Sequence, residues 1–549
     1  MIVDTPPTLP AALAVLSTCE DAGLSVYDRR GKKALKRTYA EFTRRTLGRA
    51  AWLREQGLEP GQIAYLCVPT SHELLETFLA ASLLGALPCV LGLPRAVGGL
   101  SVFQRRLQRL EEAFGGILIT SEAVGAESGR SFWALPAEPP AEGLDPSEAF
   151  APVDRESLAY VQLTSGSTTA PKAVAITQRN LSANTKAIYL SCIGLEDSDE
   201  EDVSVSWLPL YHDMGLVGMA LTAFFHRYDL VLLQPQTFVG NPLRWLQVIA
   251  EQTKSVITTG PNFAYQWCLD RIKPEKLEGL DLTPLRVAGC GAEMIRPETL
   301  SGFCERMGPY GFYKHAFVPC YGMAEATLAV TFSPPGQDIR IAMEAGAEGR
   351  EASGRVSCGK AVVGLEFTIQ DPESGEEVEE GVVGEICARG DSIFPGYYQN
   401  EAATARVLRG GWFHTGDLGF QREGELFVTG RLKDLIILDG HNVAPYEIEW
   451  IAEQHFDMGG GRAAAFSVSP EGREIPVLVV EAREVPDAAL LDTVVKQVGQ
   501  DVATLYDLVL VRRGSLPKTS SGKVKRGKIR EDYLAGALQV LWSRRASAE

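Results

Sequence analysis

Residues 160–177 read YVQLTSGSTTAPKAVAIT. A β-type run (Tyr160, Val161, Leu163) enters a loop of small hydroxyl residues around one glycine, and a second β-type run (Val174, Ile176) leaves it. Small residues beside a glycine let successive backbone N–H groups turn inward and wrap an anion. Lys172 adds positive charge at the loop's exit, so the stretch suits a polyphosphate. Taken alone, it also fits a plain polar hairpin turn.

Working outward, the usual phosphate and nucleophile motifs are missing. The common P-loop needs G-x-x-x-x-G-K-[ST] opening a helix, whereas Gly166 has no second glycine before Lys172 and strand-like residues follow. Gly522-Lys523 continues with Val524 and fails the same pattern. GCGAEM (289–294) lacks the third glycine of a dinucleotide fingerprint, and no G-x-S-x-G nucleophile elbow occurs.

At 549 residues the chain has room for two or three domains. Its 45% hydrophobic and 22% charged content places it among packed globular proteins. A formal net charge of −17 argues against nonspecific nucleic-acid binding. Charge is uneven, because Arg512 to Arg530 holds eight basic residues and no acid, a candidate surface for an anionic partner. The ten cysteines form no C-x-x-C pair or metal-like cluster and sit in apolar runs, which predicts free buried thiols and a cytoplasmic protein. The N-terminal MIVDTPPTLP has neither a basic region nor an apolar core, so no secretory signal is expected. Thr77 to Leu93 is almost wholly apolar, but Gly85 and Pro88 divide it into a buried helix (73–84) and a core strand (88–93), so no membrane span is expected.

GQIAYLCV, ALPCVLGL and GGILIT read as buried strands, with helices ELLETFLAASLLG and VFQRRLQRLEEAF between them, the βαβ pattern of a parallel sheet. DLVLLQP, SVITTG and LRVAGCG repeat it. Residues 333–357 read as a loop or mobile insertion, and 358–431 as short strands of a small β-barrel-like subdomain. The tail from about Asp434 reads as a small α+β unit. The expected fold is α/β. Residues 1–432 form a large domain of parallel-sheet subdomains plus the β-barrel-like one, and 433–549 form a small mobile domain.

The loop at 164–172 resembles the signature of the adenylate-forming superfamily. YGMAEATL (321–328), WFHTGDLGF (412–420), GRLKDLIILDGHNVAPYEIE (430–449) and LPKTSSGKVKR (516–526) follow in that family's order over nearly the whole chain. The resemblance implies transfer of an acyl carboxylate to the α-phosphate of ATP with loss of pyrophosphate, ATP and Mg2+ being required. It implies that Thr164, Ser165, Gly166, Ser167, Thr168, Thr169 and Lys172 hold the β- and γ-phosphates. Glu325 becomes the magnesium ligand, an oxygen donor suited to a hard ion. Gly291, Ala292, Glu293, Tyr321, Gly322, Met323 and Ala324 fall with the nucleotide. Asp417 is implied to accept from both ribose hydroxyls, with Arg431 as its basic companion. Lys523 is the implied catalytic lysine of the mobile domain, and Lys433 the implied hinge.

SVSWLPLYHDMGLVGMAL (204–221) resembles the fatty acyl-AMP ligase branch, as do PNFAY (261–265) and NPLRWLQVIA (241–250). It implies a fatty acid substrate, His212 near the carboxylate end of the acyl pocket, and transfer to the phosphopantetheine thiol of a holo acyl carrier protein. The short stretch after the basic segment leads to the expectation of a separate carrier. Two features depart from the branch: 333–357 is shorter than its usual insertion, and GCGAE replaces its common Asn-Gly-Ala-Glu. An acyl-CoA ligase using coenzyme A therefore stays open. A non-catalytic lipid- or nucleotide-binding relative stays open too, against the joint presence of Lys172, Glu325, Asp417, Arg431 and Lys523.

Overall fold

The computed structural model describes residues 5–545 except 29, 32, 95–98, 165–170, 194–200, 344–353, 439–440, 457–461, 470–473 and 519–523. Near the N-terminus, strands Leu87–Val90, Ile63–Cys67, Ile117–Thr120 and Phe132–Ala134 form a parallel sheet in that order. The apolar run that opens at Thr77 divides as expected. Helix His72–Leu83 starts where the Ser71 side chain accepts the Leu74 N–H, one of the donors a helix start leaves unpaired. Gly85, in the left-handed region at φ +72°, turns the chain into strand Leu87–Val90. Among the described residues no helix is long and apolar enough to cross a membrane.

A nine-stranded sheet forms the second layer. Its centre is parallel, in the order Phe317–Gly322, Leu285–Gly291, Ser255–Pro261, Asp202–Ser206, Asp229–Leu232 and Gly23–Tyr27. Antiparallel strands close both edges. These parallel strands are almost wholly buried, polar Ser204, Ser206 and Thr258 included, because both faces are covered.

The quoted hairpin belongs to a separate three-stranded antiparallel sheet. Leu158–Leu163 pairs with Ala173–Thr177, which pairs with Gly396–Tyr397. A curled antiparallel sheet is built from Leu365–Gln370, Gly384–Gly390, Trp412–Arg422, Leu408–Arg409 and Glu425–Arg431. The expectation of a loop or mobile insertion at 333–357 needs correction where two short strands form. Ile341–Met343 and Gly354–Val356 pair as an antiparallel hairpin, and Ala342 packs on Phe420 and Phe427 of the curled sheet. Residues 344–353 lie outside the described residues.

A C-terminal subdomain carries its own sheet, ordered Ala463–Val468, Ile475–Ala482, Asp507–Arg512, Val540–Arg545. Helices Pro445–His455 and Ala488–Asp501 accompany it. Its two apolar clusters draw only on residues from Ile436 onward. Arg296 of the large region pairs with Glu453 and lies over the Trp450 ring, joining the subdomain to the parallel sheets.

Candidate active site

The hairpin register brings Leu163 opposite Ala173, and the Thr164 N–H donates to the Lys172 carbonyl at 3.2 Å, closing the neck of the loop. Ser165, Gly166, Ser167, Thr168 and Thr169 lie outside the described residues. At the neck, the Lys172 ammonium sits 4.6 Å from the centre of the Tyr397 ring, an attraction to the ring's negative face. Tyr397 arrives there because its strand pairs with Ala173–Thr177, placing it opposite Val174.

The Tyr397 hydroxyl in turn donates to Glu325 Oε1 at 2.9 Å. Glu325 lies in a 3-10 turn, Ala324–Ala326, that hangs from the end of strand Phe317–Gly322, and its carbonyl accepts the Phe394 N–H. The side chain is buried, with 8% exposure. Burial pushes its carboxyl above the usual range, and the nearby Asp213 and Asp417 charges push the same way, against the Tyr397 hydrogen bond. Three carboxylates thus share one field. Glu325 by itself offers an oxygen donor of the kind magnesium takes, an ion that needs only one or two carboxylates, whereas the three carboxylates are not among the described groups whose donor atoms converge within 4.8 Å.

At the other end Asp417 and Arg431 are cross-strand partners on Trp412–Arg422 and Glu425–Arg431. Arg431 Nε lies 3.0 Å from Asp417 Oδ1, and the Tyr321 hydroxyl donates to Asp417 Oδ2 at 2.9 Å. Asp417 raises the Arg431 guanidinium pKa. Burial, then the same carboxylate, holds Tyr321 well above the ordinary phenol range. Met323 Sδ lies 3.7 Å from the Tyr321 hydroxyl. Gly322 and Gly291 are needed for close approach: a Cβ on the first would collide with the Leu328 carbonyl, and on the second would meet Cys320 at 2.7 Å. Ala292 adopts φ +65° and turns the chain out of the sheet. Glu293 is engaged elsewhere, since its Oε1 accepts the Phe263 N–H at 2.6 Å at the start of helix Asn262–Arg271.

His212 stands at the entry to the helix Met214–Leu221, its ring 4.8 Å from that of Tyr211. Gln162 Nε2 donates to the Tyr211 carbonyl at 2.8 Å, tying this segment to the hairpin. Lys433 lies exposed in the turn Leu432–Asp434. Lys523 lies outside the described residues. Its flanks are braced by a Lys518–Val524 bridge and by the Lys525 N–H donating to the Pro517 carbonyl at 2.9 Å.

The basic run is less free than its sequence suggests. Arg526 forks onto Glu449 with both contacts at 2.7 Å and reaches Asp434 at 3.3 Å. Lys518 pairs with Glu481 and Lys528 with Asp532. Sequence reasoning missed Tyr397, whose signal was an aromatic after Gly396, and Asp213, which lay inside the quoted YHDMG.

The chain is similar to known proteins over most of its length. Residues 24–398 match the family model described as AMP-binding enzyme. A Caulobacter vibrioides protein that carries the name acyl-CoA synthetase is 34% identical, with 96% of each chain covered. The medium-chain-fatty-acid–[acyl-carrier-protein] ligase JamA of Moorena producens is 34% identical over 70% of this chain and 69% of its own length. A solved structure from work on fatty acyl-adenylate ligases of E. coli and L. pneumophila superposes with a TM-score of 0.87 at 33% identity, covering 98% of this chain and 99% of the other.

Proposed function

The chain belongs to the AMP-binding enzyme family, and from that premise we propose that it activates a fatty acid as its adenylate and passes the acyl group to the thiol of a separate holo acyl carrier protein. Adenylate-forming acyl activation is the family's chemistry. A carboxylate oxygen bonds to the α-phosphorus of ATP, the bond to the pyrophosphate oxygen breaks, and pyrophosphate leaves. Two anions must meet in line, so positioning and positive charge supply most of the catalysis.

The observation that carries the reading is the array Lys172–Tyr397–Glu325, with Asp417–Arg431 and Tyr321 beside it. Lys172 and the 164–169 loop would take the β- and γ-phosphates. Glu325 would hold Mg2+, which supplies charge neutralisation on the phosphates when bound. Asp417 would accept from the ribose, with Arg431 fixing its orientation. Tyr321 and the Gly291–Glu293 and Gly322–Ala324 segments would border the base. His212 would approach the acyl carboxylate, and Lys523 would neutralise charge between carboxylate and α-phosphate. We place the domain boundary at 432/433 with Lys433 as hinge, a reading supported by the self-contained apolar clusters beyond Ile436. The free cysteines, most of them buried, support a cytoplasmic location.

The carrier reading is supported by SWLPLYHDMGL, by the superposition on a fatty acyl-adenylate ligase, and by the similarity to JamA. The alternative acceptor, coenzyme A, is favoured by the Caulobacter relative's name and by the short length of the 333–357 segment in sequence. One assay separates them: enzyme, ATP, Mg2+ and fatty acids of varied length, offered holo carrier protein or coenzyme A side by side. Carrier acylation without acyl-CoA is expected. Efficient acyl-CoA formation with no carrier acylation overturns the acceptor assignment.

A further inference from the structure

We propose that Glu385 is a positioning residue that shapes the backbone bulge presenting Asp417 to the nucleotide's ribose. The proposal rests on the ribose reading of Asp417 given above. Antiparallel pairing between Gly384–Gly390 and Trp412–Arg422 breaks at one place. Glu385 faces Leu418 and Cys387 faces His414, so Ile386 alone spans Thr415, Gly416 and Asp417. A bulge of this kind re-aims a side chain and leaves backbone groups without ladder partners. Gly416 sits at φ +71°, a left-handed conformation suited to glycine.

Glu385 supplies the missing partner. Its Oε1 accepts the Gly416 N–H at 2.9 Å. Its Oε2 lies 2.9 Å from His414 Nδ1, and Arg409 approaches at 3.8 Å. Thr415 completes the shape: its hydroxyl donates to the Ile386 carbonyl at 2.7 Å and accepts the Asp417 N–H at 3.0 Å. Glu385, Cys387 and His414 offer donor atoms within 4.8 Å of one another, and hydrogen bonding within the bulge accounts for that grouping. The Glu385 side chain is 6% exposed, and its partners Gly416, His414 and Arg409 are not among the groups assigned to substrate. Its effect on the reaction therefore runs through Asp417.

The test is carboxylate-dependent pyrophosphate exchange with ATP and with 2′-deoxyATP, for the wild type, Glu385→Ala, Glu385→Gln, Thr415→Val and Asp417→Ala. Glu385→Ala should raise the KM for ATP about tenfold, change kcat less than about threefold, and collapse the preference for ATP over 2′-deoxyATP. Glu385→Gln should keep that preference within about twofold of wild type. The amide oxygen still accepts the Gly416 N–H, and the amide nitrogen donates to His414 in its other tautomer. Thr415→Val should move the preference in the same direction as Glu385→Ala, which keeps the proposal testable if the alanine variant fails to fold. A Glu385→Ala enzyme that loses kcat but keeps the preference overturns the positioning role, as does a glutamine variant no better than alanine. An Asp417→Ala enzyme that keeps the preference overturns the ribose reading, and this proposal with it. A change in Asp417→Ala but in neither bulge variant overturns the positioning role alone.

Discussion

The Tyr397 hydroxyl donates to Glu325 Oε1 at 2.9 Å while the face of the same ring lies 4.6 Å from the Lys172 ammonium. One aromatic side chain thus braces a cation and a carboxylate without letting them neutralise each other. Each group keeps its own charge, as the proposed roles of Lys172 at phosphate and Glu325 at a metal require. Keeping them apart has a cost: Glu325 is buried near Asp213 and Asp417, and its carboxyl is pushed above the usual range.

That cost predicts a pH-dependent gain in stability for Glu325→Gln. A carboxyl whose pKa is raised on folding favours the folded state below its ordinary value of 4.5, and that advantage is lost as pH rises through the folded value. Above that value the buried charge weighs against the metal-free fold. Without Mg2+ the glutamine variant should melt ~1–2 °C above wild type at pH 8 and lose that margin below pH ~4.5. Its adenylation activity should fall sharply. A melting difference that does not change with pH would show that the charge at Glu325 is not what strains the site.

Lys523→Ala should cripple adenylation while leaving folding and ATP binding nearly intact. The residues flanking this segment, Lys518 and Val524, are bridged through their backbones. Loss of one preorganised charge at a transition state costs on the order of 10²–10³ in rate. The check is pyrophosphate exchange at saturating ATP beside a nucleotide-binding titration. Near-normal exchange would assign the role to another lysine.

How much of this was legible in the chain depends on distance along it. The hairpin at 160–177 and the break at Gly85 are local, and both are found where the residues place them. The motifs also single out Tyr321, Asp417 and Arg431, three residues that the fold brings into contact. Glu325's partner was not legible, because Tyr397 lies 72 residues away and reaches it only through strand pairing with the hairpin. Counting charges between Arg512 and Arg530 likewise overstated how many of them are free. The acids that pair with Arg526 lie 77 and 92 residues upstream and meet it only in the folded subdomain. Nor does a linear reading reveal a bulge, which exists only relative to its partner strand.

Arg526 is consequently a structural residue, and Arg526→Ala should destabilise the C-terminal subdomain by roughly 3 kcal/mol, since removing one member of a largely buried pair strands the others. Asp434 would lose its contact with the guanidinium and Glu449 its two, Glu449 keeping the Ala465 N–H at 2.9 Å. Chemical denaturation followed in the subdomain, where Trp450 and Trp542 report, should show an early transition. An unchanged profile would mean that the fork contributes nothing net.

Arg526, held by Glu449 and Asp434, is therefore not free to meet an acceptor. Arg512 ends strand Asp507–Arg512 and is exposed, and Lys528 is exposed on helix Arg526–Leu534. Lys528 pairs with Asp532 at the surface, an interaction worth little. Carrier proteins are commonly acidic, and a chain of net charge −17 needs a local basic patch to meet one. Reversing both residues, Arg512→Glu with Lys528→Glu, should slow carrier acylation about tenfold at low salt through the association rate. The defect should fade as ionic strength shortens the reach of charge. Adenylate formation, measured by pyrophosphate exchange, should change less than about twofold, because neither residue is among those assigned to the nucleotide. The same variant assayed with coenzyme A distinguishes the acceptors. A defect confined to carrier protein supports docking there, whereas equal loss with coenzyme A would assign the patch to that cofactor's phosphates. No loss with either acceptor would leave the basic segment without a docking role.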